Sequence, residues 1–183
     1  PTILSKQGVL GQAEWRHRLV NGSYQIVATG VFQNDPLSFQ SSPYGPGSRQ
    51  FRGSIESTGK FYINKQWSLG WDISLLSDRW FRQDYKLQSQ SLSQNYFKNA
   101  ISSVYMNGQG RNGYFDLRGY YFQGLSAGDI QAQQPVVAPV FDYNKTVDID
   151  PARSSGLGGR LEVDFNFVNI SRQLAAYEAI GGR

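Results

Sequence analysis

The chain has 183 residues and no cysteine, which excludes disulfides and thiolate metal sites. Its formal charge of +4 and pI near 9.3 come without any run of five or more basic residues, so a nucleic-acid-binding tail is not indicated and no nucleic-acid partner is expected. No apolar run approaches the roughly 20 residues of a membrane-spanning helix, while 14% aromatic residues and 20 glycines point to an all-β chain.

The chain opens on Pro1-Thr2-Ile3-Leu4 with no basic-then-apolar leader, as expected of a processed or excised segment. The first alternating stretch sets Ala13, Trp15, His17 and Leu19 against Glu14, Arg16 and Arg18. A period of two puts successive side chains on opposite faces of a strand. Asn21-Gly22 then marks a tight hairpin, and a weaker strand runs through residues 24–33. Residues 34–50 form a polar linker rich in Pro, Gly and Ser. Ile55, Phe61 and Ile63 next oppose Glu56, Thr58 and Lys60, and Asn64-Lys65-Gln66 is a short connection. The clearest alternation follows: Trp67, Leu69, Trp71, Ile73 and Leu75 against Ser68, Gly70, Asp72 and Ser74.

Residues 77–99 are a second long linker, rich in Gln, Ser and charge. A strand through residues 100–107 and the turn Gly110-Arg111-Asn112-Gly113 lead to Phe115, Leu117 and Tyr121 opposing Asp116 and Arg118. After the Gln-rich connection 124–135, residues 136–149 read as a strand weakened by Pro139, which cannot donate to a ladder. The connection 150–159 precedes Leu161, Val163, Phe165 and Phe167, which oppose Glu162, Asp164 and Asn166. The tail 174–183 is expected to be a short helix or disordered.

These elements predict an all-β fold, an antiparallel up-and-down meander of about eight strands of the length a tilted membrane strand needs. Short and long connections alternate, as in barrels with short periplasmic turns and long external loops. A mean hydropathy of −0.46 fits such a barrel, since only alternate residues meet lipid. The expected lumen-facing set is Glu14, Arg16, Arg18, Glu56, Lys60, Asp72, Asp116, Arg118, Glu162 and Asp164. The expected lipid-facing set is Trp15, Leu19, Trp67, Leu69, Trp71, Ile73, Leu75, Leu117, Phe165 and Phe167.

Few residues suggest bond chemistry. His17 is the only histidine and lies on the apolar side of its strand, so a structural role is favoured over a catalytic one. One histidine without cysteine leaves only carboxylates for zinc, so neither a metal nor a cofactor is expected. The pairs Asp148/Asp150 and Glu162/Asp164 fit a hydrated face better than glycosidase or calcium chemistry. The glycine clusters at 108–110 and 156–159 lie between strands, not between a strand and a helix, and read as turns. Arginines interleaved with aromatics in residues 78–85 read as the rim of a barrel loop.

Residues 11–24, from Gly11-Gln12-Ala13-Glu14-Trp15-Arg16-His17-Arg18 to Asn21-Gly22-Ser23-Tyr24, resemble a block of LptD-family barrels of alphaproteobacterial type. Arg52-Gly53-Ser54-Ile55 with residues 57–61 resembles a second block. Residues 67–72, followed by Leu76-Ser77-Asp78 and Asp84-Tyr85, resemble a third. Tyr120-Tyr121-Phe122-Gln123-Gly124-Leu125, then residues 133–139 and Asp142-Tyr143, resemble a fourth. The blocks stand in family order across nearly the whole chain.

The resemblance implies a non-enzymatic part of the organic solvent tolerance family, which assembles lipopolysaccharide in the bacterial outer membrane. Implied partners are lipopolysaccharide, the membrane, an LptE-type lipoprotein plugging the barrel, and periplasmic bridge proteins that deliver the lipid. The whole chain, residues 1–183, corresponds to part of the barrel domain, without the family's N-terminal jellyroll or the terminal aromatic of a complete barrel. Two alternatives remain in the pattern: a complete small outer-membrane barrel, and a soluble lipocalin-like module with the apolar face turned inward.

Overall fold

The computed structural model describes residues 1–4, 6–39, 47–87, 99–126, 128–152, 156 and 158–175. The strands are β1 (Thr2–Leu4), β2 (Gly8–Leu19), β3 (Gly22–Phe32), β4 (Phe51–Tyr62), β5 (Trp67–Leu76), β6 (Asn99–Gly110), β7 (Gly113–Gly124), β8 (Val136–Ile149) and β9 (Gly159–Ser171). They form a nine-stranded sheet in sequence order, every neighbour antiparallel. The short β1 is a strand beyond those legible in the sequence. Strands β2 to β9 hold 10 to 14 residues, enough to cross a bilayer at a tilt. Among the described residues no helix is long and apolar enough to cross a membrane, which says nothing of crossing by strands.

Each turn has a local cause. Leu19 pairs with Gly22 across Val20-Asn21, and Gly110 with Gly113 across Arg111-Asn112. At Asn64 the side-chain oxygen accepts from the N–H groups of Gln66 and Trp67, at 2.8 and 2.9 Å, closing the β4–β5 turn. Ile63, expected to continue the apolar face of β4, lies in this turn beyond the strand. These connections and the one between β8 and β9 share one end of the sheet. The long connections after β3, β5 and β7 share the other, together with the short β1–β2 link.

Pro139 does not end β8. The strand runs through it as an irregularity, with register shifts between Arg118 and Tyr120 on one side and between Val137 and Val140 on the other. The side-chain amide of Asn169 donates to the Ala138 carbonyl there, at 2.8 Å. The helix expected from residue 174 falls mostly on residues outside those described; Leu174 and Ala175 are not helical.

The buried core is small and lies at the long-connection end. Leu10, Val31 and Phe81 form one cluster, and Leu76, Ala100 and Leu125 another. Most large apolar side chains of β2 and β9 are instead exposed, including Trp15, Leu19, Phe165 and Phe167.

Candidate functional site

The register gives the sheet two chemically distinct faces. One row runs Arg18, Ser23, Lys60, Gly70, Tyr105, Arg118 and Val140 across neighbouring strands. The adjacent row runs Arg16, Gln25, Thr58, Asp72, Ser103 and Tyr120. Glu14 stands opposite Val27, which stands opposite Glu56, on the same side. Asp116 pairs with Asp142, and Asn144 with Asp164, again on that side, as does Glu162 opposite Thr146. All the charged residues singled out from the sequence therefore share one face. Trp15, Leu19, Trp67, Leu69, Trp71, Ile73, Leu75, Leu117, Phe165 and Phe167 share the other.

At the long-connection end, the chain after β5 folds back over the charged face. Ser77 N–H donates to the Gly53 carbonyl at 2.8 Å, and the helical turn α1 (Phe81–Asp84) lies beyond it. Phe81 is fully buried between Leu10 and Val31, so this short apolar patch on an otherwise polar face has its cover. Residues 78–85, read from the sequence as the aromatic and charged rim of a barrel loop, fold over the charged face: Phe81 has an apolar seat, and Asp78, Arg82 and Asp84 have partners of opposite sign.

Arg52 on β4 is the centre of that arrangement and is completely buried. Its Nε and Nη2 donate to the two Asp78 oxygens at 2.8 and 2.7 Å, and Nη2 also reaches Asp84 at 2.7 Å. The rings of Phe39, Tyr85 and Phe81 surround the guanidinium at 4.9, 5.5 and 5.8 Å. Arg82 forms a second buried pair with Glu56 and donates to Ser74 Oγ at 2.8 Å. The Tyr85 hydroxyl donates to Gln33, whose amide donates in turn to the carbonyls of Gly47 and Arg49. Burial pushes the Tyr85 phenol above its ordinary pKa, against the pull of the Arg52 charge.

Of the expected lumen-facing residues, only Glu56 enters this cluster. Arg52, Asp78, Arg82 and Asp84 were not singled out as site residues. The available signal was parity, since Arg52 precedes Glu56 and Lys60 by even steps and shares their face. The acidic pairs have ordinary partners: Asn144 donates to Asp164 at 2.7 Å and Glu162 at 3.3 Å, and Arg160 to Asp148 at 2.9 Å. His17 is exposed, its Nδ1 lying 3.4 Å from the Tyr24 hydroxyl.

The fold is an open up-and-down antiparallel meander with a charged face, an exposed apolar face and long connections gathered at one end, an arrangement consistent with a segment of a membrane β-barrel. The sequence profile of the LptD family, LPS transport system D, matches residues 50–179, and the chain belongs to that family. That family is one of transport components. Comparison with curated proteins gives no match.

Proposed function

We propose that this chain forms part of the wall of an outer-membrane barrel that inserts lipopolysaccharide into the outer leaflet, with its charged face toward a wet lumen and its apolar face toward lipid. One observation carries the reading: the strand register separates the two sets of side chains completely. Turned toward lipid, an Arg or Lys at mid-bilayer would cost about 2–4 kcal/mol. Arg16, Arg18, Lys60 and Arg118 together make that orientation untenable. The opposite face exposes Trp15, Phe165 and Phe167, and its cation Lys145 stands opposite Gly113 beside the short-turn end, where the cost falls to about 0–1 kcal/mol.

The short turns then face the periplasm and the long connections the exterior. Segment 77–87 narrows the lumen at its outer end, leaving the charged wall open toward the side from which periplasmic bridge proteins deliver the lipid. An LptE-type lipoprotein seated in the lumen meets this same wall. The sequence blocks favour the alphaproteobacterial form of the family.

Spin labels placed singly from Gln66 to Leu76 in the full-length, membrane-inserted protein test the orientation. Labels at 67, 69, 71, 73 and 75 are expected to respond to a lipid-soluble relaxer, and those at 68, 70, 72 and 74 to an aqueous one. If neither set meets lipid, the apolar face is buried in protein and a soluble lipocalin-like module replaces the membrane barrel.

A further inference from the structure

The charged face is not uniform. Near the short-turn end, Arg16, Arg18, Lys60 and Arg118 border a depression of about 710 Å³ shared with the single carboxylate of Asp72. Two of these cations are already neutralised: Arg16 pairs with Glu14, and Arg118 with Asp116 at 2.8 Å. Arg18 and Lys60 have no acidic partner among the described residues; Lys60 lies over the Tyr62 ring at 5.3 Å. They occupy the same row, with only Ser23 between them, so their charges add over one small area. Gly70 continues the row, and its missing side chain leaves room for the Tyr105 ring, over which the Arg118 guanidinium sits at 5.9 Å. Hydroxyls from Ser23, Thr58 and Ser103 complete a lining rich in hydrogen-bond donors.

Two neighbouring cations without an acidic partner among the described residues, flanked by hydroxyls in a concave site, are suited to a multiply charged oxyanion. Phosphate is such a group, and its oxygens take charge-assisted bonds from Arg and Lys. We propose that the depression binds the phosphate groups of a phosphorylated glycolipid, with Arg18 and Lys60 as the principal contacts and with Arg16 and Arg118, held by Glu14 and Asp116, at its border. This deepens the transport reading and rests on it, since the cargo must pass the charged face. Placed at the short-turn end, the site meets the headgroup before it reaches the narrowing made by segment 77–87.

The test uses the full-length protein with its lipoprotein partner in lipid nanodiscs. The probes are purified lipopolysaccharide, the same lipid after enzymatic dephosphorylation, and inorganic pyrophosphate. The Arg18→Gln/Lys60→Gln variant should bind the phosphorylated lipid at least about tenfold more weakly, from two lost charge-assisted contacts. It should bind the dephosphorylated lipid as the wild type does. Arg160→Gln removes the same kind of charge from a distant part of the same face and should change nothing. Equal binding of the phosphorylated lipid by wild type and double variant overturns the site. So does an equal loss in Arg160→Gln, which would mean diffuse attraction. Loss of the lipoprotein partner from the double variant with lipid binding intact also overturns it, assigning the wall to that partner. Failure of the transport reading has a different signature. The wild type would then ignore lipopolysaccharide while pyrophosphate still bound through Arg18 and Lys60, and the cargo assignment would fall.

Discussion

Arg52 and Asp78 form a two-pronged ion pair, both side chains wholly buried, between β4 and the connection that follows β5. Taking two charges out of water is costly, and the repayment depends on geometry and on further bonds to the same groups. Here Asp84 supplies a third carboxylate oxygen, the Trp80 N–H donates to Asp78 at 3.1 Å, and three rings enclose the guanidinium. The pair ties the connection to β4 on the charged face, together with the seating of Phe81 on Leu10 and Val31.

Removing one partner should therefore release the segment and leave the sheet intact. Asp78→Ala removes both prongs of the buried pair and leaves the Arg52 guanidinium with the partly exposed Asp84 as its remaining carboxylate, at a cost toward the lower end of about 3–5 kcal/mol. A helical turn of 4 residues cannot absorb that. In the full-length protein, amide exchange across residues 81–87 should accelerate by at least about a hundredfold, while β3 and β4 stay protected. Replacing both partners, as Arg52→Met/Asp78→Leu, should restore much of the protection, since a buried pair is often replaceable by apolar groups. Unchanged exchange in Asp78→Ala would show that Phe81 packing alone holds the segment.

The strands were legible because a period of two leaves its mark in every local window. Trp67 to Leu75 declare their face without reference to anything distant. The inward path of residues 77–87 left no such mark. It depends on Phe81 meeting Leu10 and Val31, and on Arg52 meeting Asp78, contacts between segments far apart in sequence. The strand read through residues 136–149 is present as β8 with Pro139 inside it. The proline's missing N–H weakens a regular ladder, but a register shift on both sides of β8 absorbs the defect. The charged face was readable from parity, whereas only the side-chain geometry separates Arg16, paired with Glu14, from Arg18, which has no acidic partner among the described residues.

Trp71 leans over Gly59 on the apolar face. It stacks on Phe61 at 5.7 Å, and its indole N–H donates to Ser57 Oγ at 2.9 Å. A Cβ added at Gly59 would fall inside the indole. Gly59→Val should push the ring outward, break the Ser57 bond and cost about 1–3 kcal/mol by overpacking. A lowered denaturation midpoint with a shifted tryptophan emission is the expected result. An unchanged midpoint would mean that the ring moves freely.

Direct pairing of β5 with β6 stops at Asp72 and Ser103. Beyond that point side chains stand in for the ladder. Ser74 N–H donates to Ser102 Oγ at 3.0 Å, while the Gln123 amide accepts from Leu76 N–H at 3.0 Å and donates to Leu76 C=O at 2.8 Å. Gln123→Leu should leave both Leu76 backbone groups without partners, at about 1–3 kcal/mol for each. Exchange at the Leu76 amide should rise selectively, with that of Trp71 unaffected. Equal protection in variant and wild type would indicate that another group, or water, takes over the bonds.

Tyr85 makes closure of the segment sensitive to alkali. Its phenol is neutral, donates to Gln33, and has a pKa raised by burial. A group whose pKa is higher in the folded state stabilises that state fully below the unfolded value, about 10 for tyrosine. The contribution is lost as pH rises through the folded value, and nothing changes on the acid side. Segment 77–87 should thus stay closed from neutral pH to about pH 9 and open above the ordinary tyrosine range. Tyr85→Phe removes the ionisable group and one hydrogen bond. It should be slightly more open at neutral pH, yet lose part of the alkaline opening. A spin label at Gln83, which is exposed, reports the transition in both proteins. Identical alkaline profiles would assign the opening to other titrating groups and remove Tyr85 from the closure.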